Sequence, residues 1–231
     1  MAQRRISTAE KRRPARVGFI TIGQSPRDDI VPEMLVWVGM PIEVAEFGAL
    51  DALSPDQIEA LAPSGDEPRL VSRLRDGSEV VASRAHMHEQ VRALLEDADR
   101  QDLDAIVLLC TGQFPPVQLR TPFVSAQAAV DLGGLALARD VRTVGLLVPN
   151  ETQARAIEAA GWNGLPAKAA HSTPYGDSRF EEAARDLADT DLIVMHCMGY
   201  GEAMLEQVRA ASGRPTLLAR RLVASALRQL L

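Results

Sequence analysis

Several things are scarce or missing in this 231-residue chain. It has two cysteines, two tryptophans, two tyrosines and five phenylalanines. No run approaches the roughly 18 to 20 apolar residues that a membrane span needs, and the N-terminus lacks the apolar centre of a secretory signal, so a cytoplasmic location without membrane contact is expected. In a reducing compartment two cysteines are free thiols rather than a disulfide. There is no C-x-x-C, H-E-x-x-H or G-x-G-x-x-G, and "TIGQSPR" lacks the lysine of a phosphate-binding loop. The expectation is that neither a metal nor a nucleotide cofactor is used. With so few aromatics, a compact ligand is expected rather than a large planar one.

What is present is an ordinary globular composition, 46% hydrophobic, at 25.0 kDa. That is enough for one large α/β domain or two small fused lobes. The net charge of −6 is unevenly spread. Residues 1–16 carry Arg4, Arg5, Lys11, Arg12, Arg13 and Arg16 against Glu10 alone, a balance of +5, which leaves −11 for the remainder. A basic arm without aromatics before an acidic body reads as a solvated, disordered tail and not as a nucleic-acid site.

"RVGFITI" reads as a strand, with Ser25 as N-cap of a helix that runs through "IVPEMLVWV" and is kinked at Pro32. "SPDQ" from Ser54 has the capping-box form and opens a short helix. Asp76-Gly77 joins two strands in a hairpin near 70–83. An amphipathic helix over "HMHEQVRALLEDADRQ" leads to the strand "AIVLLC", and "PFVSAQAAVDLGGLALA" gives a further strand and helix. The pattern then restarts: strand "RTVGLLVP", a helix closing at Gly161, a loop over 162–176, a helix capped by Ser178 and Glu181, strand "DLIVMHC", helix "GEAMLEQVRAAS", and a closing strand and helix.

"DAIVLLCTG" (104–112) returns as "DLIVMHCMG" (191–199), with Asp, Ile, Val, Cys and Gly identical. "VGFITIGQS" likewise matches "VGLLVPNET", and "PFVSAQAAVDL" matches "PTLLARRLVASAL", in the same order. The implied architecture is α/β, with two pseudo-symmetric doubly wound lobes and a cleft between them. The expected division is the arm over 1–16, a first lobe over 17–126 plus 216–231, and a second lobe over 127–215.

Ligands of open α/β sheets bind beyond the carboxyl ends of the strands, where both cysteines fall. Each has a glycine two positions on, which lets backbone N–H groups turn toward a small carboxylate. Two thiols facing each other suit a reaction that removes a proton from one face of a carbon and returns one to the other. A free thiol is only about 3% ionised at pH 7, so the base is expected to have a lowered pKa. Cys110 and Cys197 are therefore the candidate catalytic pair. Candidate substrate-binding positions are Ser25, its counterparts Asn150 and Thr152, and Tyr200 after the second glycine. Arg84 is a candidate either for a second substrate anion or for a surface ion pair. His196 points away from Cys197 along a strand and so is not its base.

The order "VGFITIGQSPR", "ASR", "DAIVLLCTG", "DLIVMHCMGY" and "PTLLARRLVASAL" resembles the AroM family of the aspartate/glutamate/hydantoin racemase superfamily, from Val17 to Leu231. The resemblance implies two lobes with the cysteine positions flanking their cleft, and cofactor-independent acid–base chemistry. By the same resemblance, carboxylate-binding groups fall at Ser25, at Thr111 and Gly112, and at Met198 and Gly199. Amino-acid racemases of the superfamily usually have Asn-Thr after the first cysteine and Thr-His or Thr-Glu after the second, whereas this chain has Thr-Gly and Met-Gly. The expected activity is thus racemase- or isomerase-like on a small carboxylate. The alternatives are a one-cysteine isomerase or decarboxylase of a dicarboxylate, or a non-enzymatic metabolite-binding protein. Relatives of this fold are commonly dimers, which implies a homodimer.

Overall fold

A computed structural model describes residues 13–231. Most of the basic arm lies outside the described residues; the described structure begins at Arg13. Arg13 donates to both carboxylate oxygens of Asp104, and strand β1 begins at Ala15.

The first sheet contains β1 (Ala15–Thr21), β2 (Ile42–Gly48), β5 (Ala105–Leu108) and β6 (Phe123–Ser125), in the order β2-β1-β5-β6, all parallel. The second contains β7 (Val144–Val148), β8 (Ala167–His171), β9 (Leu192–Met195) and β10 (Thr216–Leu218), in the order β10-β9-β7-β8, also parallel. The two sheets therefore have the same topology. Val17 pairs with Ala105 as Val144 pairs with Leu192, so the repeated segments also share their register. The strand 216–218, expected with the first lobe, hydrogen-bonds β9 in the second sheet. The helix after it, α8 (Ala219–Leu230), packs against α1 (Val31–Val38) and α4 (Ala126–Leu137).

Side-chain alternation along the strands divides the core. Phe19, Val107, Leu146 and Val194 point into a central core between the sheets, which holds α1, α4, α5 (Glu151–Ala160) and α8. The intervening residues Ile20, Ile106 and Leu108 face outward under α3 (Arg84–Asp99). On the second sheet Leu147, Ile193 and Met195 do the same under α6 (Phe180–Asp186) and α7 (Glu202–Ser212). Strands buried on both faces read as continuous apolar runs, and each fully buried Val, Leu or Ile stabilises by roughly 1.5–3 kcal/mol.

Two local expectations fail at helix starts. Ser25 does not cap α1: its hydroxyl and amide both donate to Asp51, so the helix begins at Val31 and Pro32 sits in its first turn without kinking it. Ser178 likewise makes no cap for α6, whose N-cap residue is Arg179 with no side-chain bond. The capping box at Ser54 is present on α2 (Pro55–Glu59).

The hairpin of β3 (Arg69–Arg73) and β4 (Glu79–Ser83) turns through Gly77, at φ 95°. It lies across the carboxyl ends of both sheets. Arg73 O accepts from Gln24 N of the first lobe, while Gln153 of the second lobe donates to Arg69 O and Thr173 donates to Glu79. No described helix is long and apolar enough to cross a membrane.

Candidate active site between the two cysteine turns

The repeated aspartates explain how each cysteine strand is seated. Asp104 accepts from the amide of Arg16 at 2.7 Å, and Asp191 from the amides of Arg142 and Thr143 at 2.9 and 3.1 Å. Each carboxylate fastens the start of the central strand beside it, and these amides hold both below the usual aspartate pKa. Sheet register then delivers Cys110 and Cys197 to equivalent strand ends.

Both thiols are buried and line one narrow cavity of about 20 Å³, room for about one water molecule. Thr111, Gly112, Met198 and Gly199 line it with them. The amide of Gly112 donates to Cys110 Sγ at 3.3 Å, and that of Gly199 to Cys197 Sγ at 3.4 Å. Neither glycine has positive φ; close approach favours glycine instead, more firmly at Gly199, which meets a proline ring and a tyrosine, than at Gly112, which meets the end of a leucine side chain. A Cβ on Gly112 would stand 2.6 Å from Leu70, and one on Gly199 would stand 2.6 Å from both Pro174 and the Tyr175 hydroxyl. The two turns are also joined directly: Thr111 Oγ1 donates to His196 O at 3.0 Å.

The expected lowering of a thiol pKa is not what the structure shows. Burial pushes Cys110 up to about 12 and Cys197 up to about 11, outweighing the glycine amides and the nearby guanidiniums, all of which favour thiolate. The thiols also differ in surroundings, since Arg27 acts on both while Arg220 favours ionisation only at Cys197.

These two arginines escaped the sequence reading. Arg27, 2% exposed, lines the cavity and uses all five of its N–H donors. It binds both oxygens of Asp29 at 2.8 Å, Thr21 Oγ1 at 2.8 Å, Ser72 Oγ at 3.4 Å and the Tyr175 hydroxyl at 2.6 Å. It thus ties β1, the hairpin and the second lobe together over the thiols. Arg220, equally buried, takes the carbonyls of Met198 and Gly199 at 2.7 and 2.9 Å and pairs with Glu33 at 3.1 Å. Drawing these carbonyls to one side orients the second cysteine turn. The signal for Arg27 lay in "SPRDD", but the run looked like a helix start. Arg220 sat in a helix pattern with nothing to separate it from Arg221.

The remaining candidates are placed elsewhere. Ser25 is bound to Asp51 and does not line the cavity. Asn150 caps α5 through Oδ1 and leaves Nδ2 buried without a partner. Tyr200 is fully buried against Phe180 and donates to Ser172 O at 2.8 Å, so it does not shape the cavity wall. Arg84 and Thr152 line a larger cleft of about 560 Å³ on the other side of Thr111 and Gly112. Among the described residues, no group of three or more His, Cys, Asp or Glu side chains is placed to hold a metal ion.

Known structures share this fold. Arylmalonate decarboxylase superposes with a TM-score of 0.54 at 16% identity, over 93% of this chain and 92% of that one. The aspartate racemase of Picrophilus torridus gives 0.52 at 12% identity, over 93% of each chain. A mutant maleate cis-trans isomerase of Nocardia farcinica, carrying a covalently bound succinylcysteine intermediate, gives 0.50 at 17% identity, over 94% and 92%. No curated protein sequence matches the chain. The family model described as AroM protein matches residues 17–231, all but the first sixteen positions, and the chain belongs to the AroM family.

Proposed function

We propose that this protein is a cofactor-independent racemase or isomerase of a small carboxylate, with Cys110 and Cys197 as its paired acid and base. The observation that carries this reading is the shared cavity, with one thiol from each lobe and each sulfur met by the amide of the glycine two residues on. One thiolate takes the proton from a carbon beside the carboxylate, and the opposite thiol returns one to the other face. Each turnover thus exchanges the protonation states of the two sulfurs. Positioned acid–base groups contribute on the order of 10² to 10⁴ in rate, and the glycine amides are the available donors to the developing negative charge.

A cavity of about 20 Å³ does not hold a carboxylate substrate, so binding requires the walls to part. The walls that would have to part are Leu70 to Ser72 on the hairpin and Tyr175 on the second lobe, which line the cavity from outside the two cysteine turns. Opening admits water and relieves the burial that keeps the thiols protonated, while the amides and Arg27 remain to favour thiolate.

A second reading is favoured by the asymmetry of the turns. Arg220 has Gln127 as its counterpart in the first half, so Cys197 has one more cation than Cys110 acting against the burial that keeps both thiols protonated. In a one-cysteine isomerase or decarboxylase, Cys197 is the working residue. That the same fold is found in a decarboxylase and in an isomerase carrying a succinylcysteine intermediate supports keeping this alternative.

The test is solvent-deuterium exchange followed by proton NMR on amino acids, hydantoins and small dicarboxylates, with the unsubstituted protein, Cys110→Ala and Cys197→Ala. Wash-in at one carbon that is lost in both variants supports the two-thiol reaction. Turnover that survives in Cys110→Ala supports the one-cysteine reading. Thermal stabilisation by a compound that shows neither exchange nor turnover makes the protein a metabolite-binding one.

A further inference from the structure

The cleft of about 560 Å³ lies on the face of β9 opposite Cys197, and its size is that of a site for a small organic molecule. Its lining includes a polar pair that the pseudo-symmetry does not require. His196 Nε2 and Asp131 Oδ1 are 2.8 Å apart, with side chains 14% and 13% exposed. In the matching half the equivalent positions are Leu109 and Ala224, both apolar and both in the central core. Asp131 also accepts from Trp162 Nε1 at 2.9 Å, which fixes the carboxylate. His196 Nδ1 takes no hydrogen-bond partner among the described residues.

The charges around the cleft favour an anion. Arg84 makes no ion pair among the described residues, and Arg69 donates only to the backbone oxygens of Gly65 and Glu67. The acids lining the same cleft are Asp131, already bonded to His196, and exposed Asp66. Ala156, Ile157 and Ala160 on α5 give the cleft an apolar wall.

We propose that this cleft is a second ligand site, independent of the cysteine reaction, for a ring-sized organic carboxylate. Its acid group meets Arg84, its body lies on the α5 wall, and a hydroxyl on the far side bonds His196 Nδ1. Leu70, Thr111, Gly112 and Gln153 line both spaces, so the ligand rests one residue away from the thiols.

The experiment uses Trp37→Phe protein, which leaves Trp162 as the only tryptophan, titrated with trans-4-hydroxycyclohexanecarboxylate, cyclohexanecarboxylate and cyclohexanecarboxamide. Saturable change in Trp162 emission is expected with both carboxylates, and weakening of about tenfold with the amide and in Arg84→Gln. His196→Gln should weaken the hydroxylated probe selectively. Cys110→Ala and Cys197→Ala should bind within about twofold of the parent, whatever their exchange activity. The absence of saturation up to about 10 mM overturns the proposal. So does equal binding of carboxylate and amide, or loss of binding in the cysteine variants. The acid-to-amide comparison and Arg84→Gln leave the His196–Asp131 pair intact, so the outcome does not depend on whether His196→Gln folds.

Discussion

Thr111 and His196 are joined across the two halves of the molecule: the hydroxyl beside one cysteine donates to the carbonyl beside the other at 3.0 Å. This bond fixes the distance between two turns that belong to different sheets. It also lies on the boundary between the thiol cavity and the larger cleft, since Thr111 lines both.

Replacing Thr111 with Val keeps the shape and removes the donor. We expect a loss of about 1 kcal/mol in stability from urea unfolding, and faster alkylation of both thiols by iodoacetamide as the turns separate. An unchanged midpoint together with unchanged alkylation would show that the bond does not hold the turns.

Arg27→Gln leaves Asp29 without its bidentate partner and removes the link between the hairpin and Tyr175. Asp29 is held below the ordinary carboxylate pKa because the Arg27 bonds and charge outweigh its burial. Breaking such a pair costs about 3–5 kcal/mol, and Asp29→Asn in the same chain should restore part of it. Denaturant melts of the two single variants and the double variant measure the coupling. Strict additivity would mean that the pair does not act as a unit.

The buried thiols give a pH dependence at the alkaline end. A group whose folded pKa lies above its unfolded value holds its proton longer in the folded state. Its stabilisation is therefore complete below the unfolded value, near 9, and lost as pH rises toward about 11 and 12. The slope is about 1.4 kcal/mol per pH unit for each thiol still protonated in the folded state. Unfolding free energies between pH 8 and 11, at steps of about half a unit, should fall more steeply for the parent than for Cys110→Ala/Cys197→Ala. Parallel curves would show that the thiols are solvated in the folded protein.

The repeat was legible because central parallel strands are buried on both faces and must be written in apolar residues. That is why β1, β5, β7 and β9 stood out, and why "DAIVLLCTG" and "DLIVMHCMG" could be matched. The strands that escaped, β2 and β8, occupy the same edge position in the two sheets. "IEVAEFG" carries two glutamates and "AKAAH" is mostly alanine, because an edge strand needs no continuous apolar run and tolerates charge. The alternation that set His196 apart from Cys197 could also be read in advance; its partner Asp131, 65 residues away, could not.

By itself, then, the sequence determined the two-fold repetition of strand, turn and helix, the placing of one cysteine at each equivalent strand end, and the glycine two residues beyond. These follow from local periodicity and from the burial that parallel sheets impose. Only the tertiary structure decided which groups surround the thiols. Arg27, Arg220, Tyr175 and the hairpin reach the cavity from separate elements, and Ser25 was drawn to Asp51 instead. Burial, a property of the whole packed molecule, set the protonation of both cysteines against the local N–H groups that the sequence had pointed to.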